Sequence, residues 1–320
     1  MTDRSLDFRF MFLVYNTQVK TLLEEKIDKI SNIFEISKIE AIKVTTEYIQ
    51  RYYKVNQIPY SLFHSKEDLV HLGISRNGVF TKNDLTAQAL FVNKYIKKIK
   101  AKRILELATG RGADASLLAR KNPNSEFYGI DLSQGQLYYA YKKAKKVKNY
   151  FPSQGNYQDL SSFEDSSFSI CFVVEALCYS VDKKTVLREV YRVLKKGGYF
   201  IVIDSYKSDK QLSSSEFTAS RLTEKGMALD SFEKYSSFTK KAKDVGFVVE
   251  LEEDVSKYVI PNMERLEKVA AHIFKHPHLA KPLVKILPNE LVYNAISGYL
   301  MPSLIKGGVA KYYIDVLKKV

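Results

Sequence analysis

At 320 residues the chain has room for one large α/β domain with appendages, or for two small domains. Hydrophobic residues make up 45% of it, enough for a core, which argues against disorder; its apolar runs, such as Phe10–Tyr15 and Cys171–Val174, are too short to span a bilayer. The net charge of +14 admits nucleic acid, an anionic membrane surface or an acidic substrate, but the lysines are dispersed and no zinc finger, RNA-recognition motif or basic zipper is present.

In chain order, the first residues, MTDRSLDFRFMFLVY, lack a basic leader followed by a proper apolar segment, so no signal peptide is expected. From about Leu6 to Lys94 the pattern is mainly helical, with apolar residues three and four apart in VKTLLEEKIDKISNIFEI. At Arg103 it changes. RILELAT reads as a strand, ADASLLARK as a helix, EFYGIDL as a strand and GQLYYAYKKAKKVK as a helix. The lysine-rich runs Lys97–Arg103 and Lys142–Lys148 therefore fall on helix-like segments, where solvated faces account for them. SSFSICFVVEAL (Ser166–Leu177) reads as a buried strand, KKTVLREVYRVLKKGG (Lys183–Gly198) as an amphipathic helix ended by glycine, and YFIVIDSY (Tyr199–Tyr206) as a further strand. Such alternation predicts a parallel sheet with helices on both faces. Beyond it come a helix, a strand from about Phe247 to Val255, a helical stretch from Pro261 to Pro302 broken by prolines, and a last strand, Ala310–Lys319. The two cysteines, Cys171 and Cys178, make no disulfide framework and fit a reducing, cytoplasmic compartment. Near the end, His272 and His276 have helical metal-ligand spacing, but Pro277 breaks the helix and no acid or cysteine joins them, so no metal is expected.

The chemistry concentrates between Arg103 and Ser133. Gly110 and Gly112 stand where a parallel strand gives way to a helix, the place where open α/β sheets bind ligands. Asp131 ends the next strand, and its carboxylate can accept both hydrogen bonds of a ribose diol. This spacing fits a dinucleotide, because Gly110-Arg-Gly112-Ala-Asp-Ala115 satisfies G-x-G-x-x-G/A. It equally fits S-adenosylmethionine, whose zwitterionic amino acid takes the place of the pyrophosphate. Glu106 inside the first strand weighs toward the second, since a carboxylate repels a pyrophosphate and favours an ammonium group.

On these residues the chain resembles class I S-adenosylmethionine-dependent methyltransferases of the small-molecule branch. LELATGRG corresponds to that family's acid-x-G-x-G-x-G loop, with Ala108 in place of the first glycine, a replacement suited to a position without positive φ. The likeness runs from Arg103 to Tyr206. It implies that Glu106, Ala108, Gly110 and Gly112 hold the amino-acid end of the cofactor, Asp131 the ribose, and Leu132, Asn156 and Tyr157 the adenine side. Within the branch it is similar to sterol-type C-methyltransferases, in VVEALCYSVDKKTVLREVYRVLKKGGYF and in YYKVNQIPY (Tyr52–Tyr60). Their tryptophan-glycine segment has its nearest counterpart in HLGIS (His71–Ser75), and the chain has no Trp. The fold expected is a Rossmann-like α/β sheet in residues 96–320, with a helical N-terminal extension or lid in 1–95 and a helical insertion at about 256–305.

The likeness puts Glu175 at the acceptor, after the fourth strand; Tyr60 covers cofactor or substrate, and His71 is a candidate acid or base from the lid. Each has a plainer structural account: a turn-bound carboxylate, a helix-packing tyrosine, a satisfied histidine. Cys178 falls near the pocket, but methyl transfer needs no thiolate. Aromatic faces stabilise a developing cation, and the chain carries 22 Tyr and 18 Phe, though cores also consume aromatics. The expected partner is a small, apolar methyl acceptor. Nucleic acid is not expected, because VEALCYS stands where an Asn/Asp-Pro-Pro-aromatic motif would follow the fourth strand. Peripheral membrane contact and oligomeric state stay open, as do two alternatives: an NAD-dependent oxidoreductase, and an inactive cofactor-binding partner of another subunit.

Overall fold

The computed structural model describes residues 21–57, 59–60, 65 and 67–320. The leader reading and the run Phe10–Tyr15 lie outside the described residues. Seven strands form one sheet: β1 (Arg103–Leu107), β2 (Glu126–Asp131), β3 (Tyr150–Gln154), β4 (Phe168–Val174), β5 (Leu194–Lys207), β6 (Phe247–Asp254) and β7 (Ala310–Lys319). Their order is β3-β2-β1-β4-β5-β7-β6. The pairs from β3 through β5 are parallel, and β6 runs antiparallel to β7. This differs from the dinucleotide-binding order, in which the sixth strand lies directly beside the fifth.

Two compact units emerge. Among the described residues, one comprises those within 57–206, 233–259 and 312–320; the other comprises 21–56, 207–232 and 260–311. The segment 57–95, placed in the N-terminal extension by its sequence pattern, falls in the unit that holds the sheet.

In the sheet unit, the central strands are buried on both faces, as parallel strands with helices on each side must be. Leu105, Cys171, Val173, Phe200 and Val202 enter a core built with the helices Lys183–Val193 and Tyr235–Val245. Their neighbours Ile104, Ile170, Phe172, Ile201 and Ile203, which period-two alternation turns to the other face, are equally buried. The helix Lys183–Val193 buries Val186, Leu187, Val190 and Val193 along one stripe and is capped by Asp182, which accepts from the Thr185 amide at 3.1 Å. It does not end in glycine as the sequence pattern suggests. Leu194 already has extended φ and ψ, and the glycines lie within β5. There a Cβ on Gly198 would come within 2.9 Å of the Ser169 carbonyl, so glycine serves close strand packing.

The second unit is helical. Residues 21–31 and the helices Ile36–Glu40, Ser214–Gly226, Ser256–Lys275 and Asn289–Lys306 contribute to one core, with Leu23, Ile30, Leu222, Phe274, Ile296 and Leu300 inside it. At Gly226 a Cβ would lie 2.3 Å from the Tyr293 carbonyl and the Ser297 hydroxyl, so glycine lets two helices touch backbone to backbone. Lys26 is buried, yet its ammonium is satisfied by Glu267 at 2.6 Å, the Tyr299 carbonyl at 2.9 Å and the Ser303 hydroxyl at 2.8 Å. The helical stretch is interrupted at Pro277 and Pro288, as expected, but not at every proline. Pro261 and Pro302 sit inside helices, whereas Pro277 opens the helix Pro277–Ile286 and Pro288 caps Asn289–Lys306. No helix among the described residues is long and apolar enough to cross a membrane.

Candidate active site

The bend after β1 is built around Glu106. Register sets Glu106 beside Gly129 and Phe172, so its carboxyl shares a sheet face with apolar neighbours and is buried. It accepts a hydrogen bond from the Thr109 hydroxyl, which lies 2.8 Å from the Tyr150 hydroxyl, and another from the Ala115 amide. Burial raises its pKa well above the usual carboxylate range; the nearby Asp114 carboxylate adds to the rise, and the two donors oppose it. Thr109 also explains Gly129, where a Cβ would meet the Thr109 hydroxyl at 2.6 Å.

Three residues of the bend take left-handed backbone: Ala108 (φ 52°), Gly110 (φ 53°) and Gly112 (φ 71°). Alanine at 108 is thus not at a position free of positive φ, as its presence suggested. The turn imposes the conformation and the alanine bears it, at a cost of about 1–2 kcal/mol. The two glycines face different surroundings. A Cβ on Gly112 would strike Tyr150 at 2.5 Å, whereas one on Gly110 would meet nothing nearer than the Ala108 carbonyl at 4.0 Å. Asp131, half-buried at the end of β2, accepts from the Gly110 amide at 2.9 Å and the Ser133 amide at 2.8 Å, and so ties the bend to the second strand. Burial raises its pKa and these two amides hold it down. Arg111, between the glycines, is buried against Asp68 at 2.8 Å and over the Tyr139 ring at 4.4 Å.

The adenine-side candidates are more open. Leu132 is 42% exposed. Asn156 is exposed, and its side-chain carbonyl accepts from the Gln158 amide at 2.9 Å. Tyr157 is half-buried and donates to the Ala176 carbonyl at 3.2 Å.

A second cluster lies at the carboxyl end of β4. Glu175 has left-handed backbone, φ 48°, an unfavourable state for a side chain of its size. Its Oε1 accepts from the Tyr312 hydroxyl at 2.6 Å and from the Leu72 amide at 2.8 Å. Burial raises the Glu175 pKa; the charge of His71 and these two donors pull against it. Gln88 donates to the Leu72 carbonyl. His71 is buried, with Nε2 at 3.3 Å from Asp114 Oδ2, an ion-pair separation without hydrogen-bond alignment. Burial lowers its pKa, but Asp114 and Glu175 outweigh it and hold the imidazole at about 9, so it is charged at neutral pH.

The structure therefore brings Glu106, Ala108, Gly110, Gly112 and Asp131 into one bend, and His71 into contact with Asp114 and within the field of Glu175. Tyr60 is helical and half-buried. Sequence reasoning missed Thr109, Asp114, Tyr150, Gln88 and Tyr312. Asp114 stood in view two residues past Gly112; Tyr312, in the last strand, gave no signal.

These features fit S-adenosylmethionine. The space beyond Gly110 is open at the point where backbone can approach a ligand. Asp131 uses two of its roughly four acceptor sites on backbone amides, which leaves the others for a ribose diol. Asp114 Oδ1 is buried without a hydrogen-bond donor, close enough to Glu106 to raise its pKa, so this end of the bend calls for an ammonium group.

Strand order and bend are those of a class I, Rossmann-like methyltransferase domain. Residues 98–254 match the family described as Methyltransferase domain. A sterol methyltransferase-like protein of Botryococcus braunii is 33% identical over 105 residues, 32% of this chain and 26% of that protein. A fatty-acid O-methyltransferase of Mycolicibacterium smegmatis is 28% identical over 166 residues, 52% of this chain and 60% of that protein. The chain thus matches less than two thirds of either relative's length. Among solved structures, geranyl diphosphate C-methyltransferase from Streptomyces coelicolor superposes with a TM-score of 0.59 at 18% identity, covering 87% of this chain and 100% of that one. At that identity the likeness concerns the fold.

Proposed function

We propose that the chain transfers the methyl group of S-adenosylmethionine to a small, apolar acceptor. The observation that carries this reading is the open bend at Gly110, flanked by the buried carboxyls of Glu106 and Asp114 on one side and by Asp131 on the other. When bound there, the cofactor supplies an electrophilic methyl on a sulfonium centre. Glu106, helped by Asp114, would hold the ammonium end, Asp131 the ribose hydroxyls, and the exposed Leu132 the adenine face.

Methyl transfer demands alignment and exclusion of water more than it demands proton chemistry. In this reading Glu175 takes a proton the acceptor gives up. Its strained backbone fixes the carboxylate, while Tyr312 and Leu72 hold one of its oxygens and leave the other free of those two bonds. His71, charged at neutral pH, serves in this reading as a counter-ion that keeps Glu175 ionised, and not as a base. Tyr60 remains the proposed cover for cofactor or acceptor. The domains at 1–95 and 256–305 remain proposed lids. Sterol and fatty acid in the names of similar proteins support an apolar acceptor.

Isothermal titration with S-adenosylhomocysteine tests the first half: folded protein that does not bind it sinks the proposal. Incubation with labelled cofactor and a lipid-soluble metabolite extract, read by mass spectrometry for a gain of one methyl, tests the second. Binding without any methylated product would favour the inactive partner instead.

A further inference from the structure

We propose that the outer face of the helix Pro277–Ile286 docks the protein on an anionic membrane surface. This helix has three sides. Ala280 is buried, and Val284 packs on the core of the helical unit. On a second side, about 110° round the helix, Leu279, Leu283 and Ile286 are 64%, 48% and 79% exposed. They lie four and three residues apart, which sets them on one stripe. Between the two faces stand Lys281 and Lys285, both exposed, with exposed Lys275 at the end of the preceding helix.

A helix that turns aliphatic side chains both to its core and away from it gains nothing for folding from the outer set. Aliphatic groups exposed as a row, rather than singly, mark a surface that leaves water in another state of the protein. The charges beside them identify that state. PHLAKPLVKI contains no acid, and the chain carries a net charge of +14. Leucines and an isoleucine can enter the acyl boundary while lysines reach lipid phosphates with their ammonium groups. A symmetric contact with a second copy through the same face would set Lys281 and Lys285 against their own counterparts, in a contact that repels. The membrane relieves both the apolar exposure and the single-signed charge.

The test is co-sedimentation of the full chain with vesicles of phosphatidylcholine alone and with added phosphatidylglycerol. The protein should partition onto the anionic vesicles, and the bound fraction should fall as salt is raised. Leu279→Asp with Leu283→Asp should lower that partition by at least about tenfold, and Lys281→Glu with Lys285→Glu by a similar factor. Circular dichroism and the urea midpoint should stay as in the unaltered protein, which separates lost docking from lost folding. Three results would overturn the proposal: no partition onto anionic vesicles, equal partition by the variants, or a concentration-dependent dimer that Leu283→Asp dissociates while vesicles capture nothing.

Discussion

The two glycines of the bend give a test in which one substitution is made in two places with opposite consequences. Gly110 and Gly112 share a left-handed backbone, φ 53° and 71°, so an alanine at either costs about 1–2 kcal/mol. They differ in what the added carbon meets. At Gly112 it lies 2.5 Å from Tyr150 Oη and 2.8 Å from Tyr150 Cε1; at Gly110 the nearest atom is 4.0 Å away. Forcing a methyl into the buried Tyr150 ring adds roughly 1–3 kcal/mol. Gly112→Ala should therefore lose about 2–5 kcal/mol of stability and Gly110→Ala about 1–2 kcal/mol. Urea denaturation of the two variants measures that difference. Tyr150→Phe in the Gly112→Ala background should recover part of the loss, because it removes the 2.5 Å contact and keeps the one at 2.8 Å. Titration with S-adenosylhomocysteine should rank them in the reverse sense. The methyl of Gly110→Ala stands in the space assigned to the cofactor and should weaken binding at least about tenfold, or 1.4 kcal/mol. Cofactor binding of Gly110→Ala at the unaltered affinity would remove the ligand from this bend. Equal destabilisation of the two variants would show that Tyr150 is not what requires glycine at 112.

Ala108→Gly should raise stability by about 0.5–1 kcal/mol, since glycine relieves the left-handed strain at φ 52° and returns only part of the gain as backbone entropy; a lower urea midpoint would contradict the strain. His71 has a folded pKa raised from its ordinary 6.5 to about 9, so its stabilising charge is fully present below pH 6.5 and is lost as pH climbs through 9. The urea midpoint should fall across that window by the equivalent of about 3 kcal/mol, and His71→Gln should flatten the slope. Tyr312→Phe removes the 2.6 Å hydrogen bond that favours the ionised form of Glu175. It should move the acid limb of the kcat/KM profile to higher pH, while S-adenosylhomocysteine affinity stays unchanged; a loss of kcat with no shift in the limb would assign Tyr312 a packing role.

The elements a sequence reveals are those whose cause is local. Alternation of apolar strands with amphipathic helices made the α/β sheet legible, because each strand had to be apolar over a short run to be buried on both faces. Ala113–Lys121 and Ala310–Lys319 fall at the expected boundaries. Gly110, Gly112 and Asp131 were legible as a group for the same reason: one strand end, one turn and the next strand end lie within thirty residues. What was hidden depends on contacts made across the chain. The left-handed turn at Ala108 is fixed by the path between Glu106 and Gly110, and no side chain announces it. His71 meets Asp114 because segment 57–95 belongs with the sheet, although the sequence reading set it with the N-terminal helical extension. Tyr312 reaches Glu175 through the final strand crossing back to lie between β5 and β6, an order that alternation alone does not dictate. The prolines make the same point in reverse: the residue type was read correctly, but whether it breaks a helix or opens one depends on where the helix starts. Local chemistry thus made the bend proposed for the cofactor legible, and only topology could bring Glu175 together with Tyr312 and Leu72.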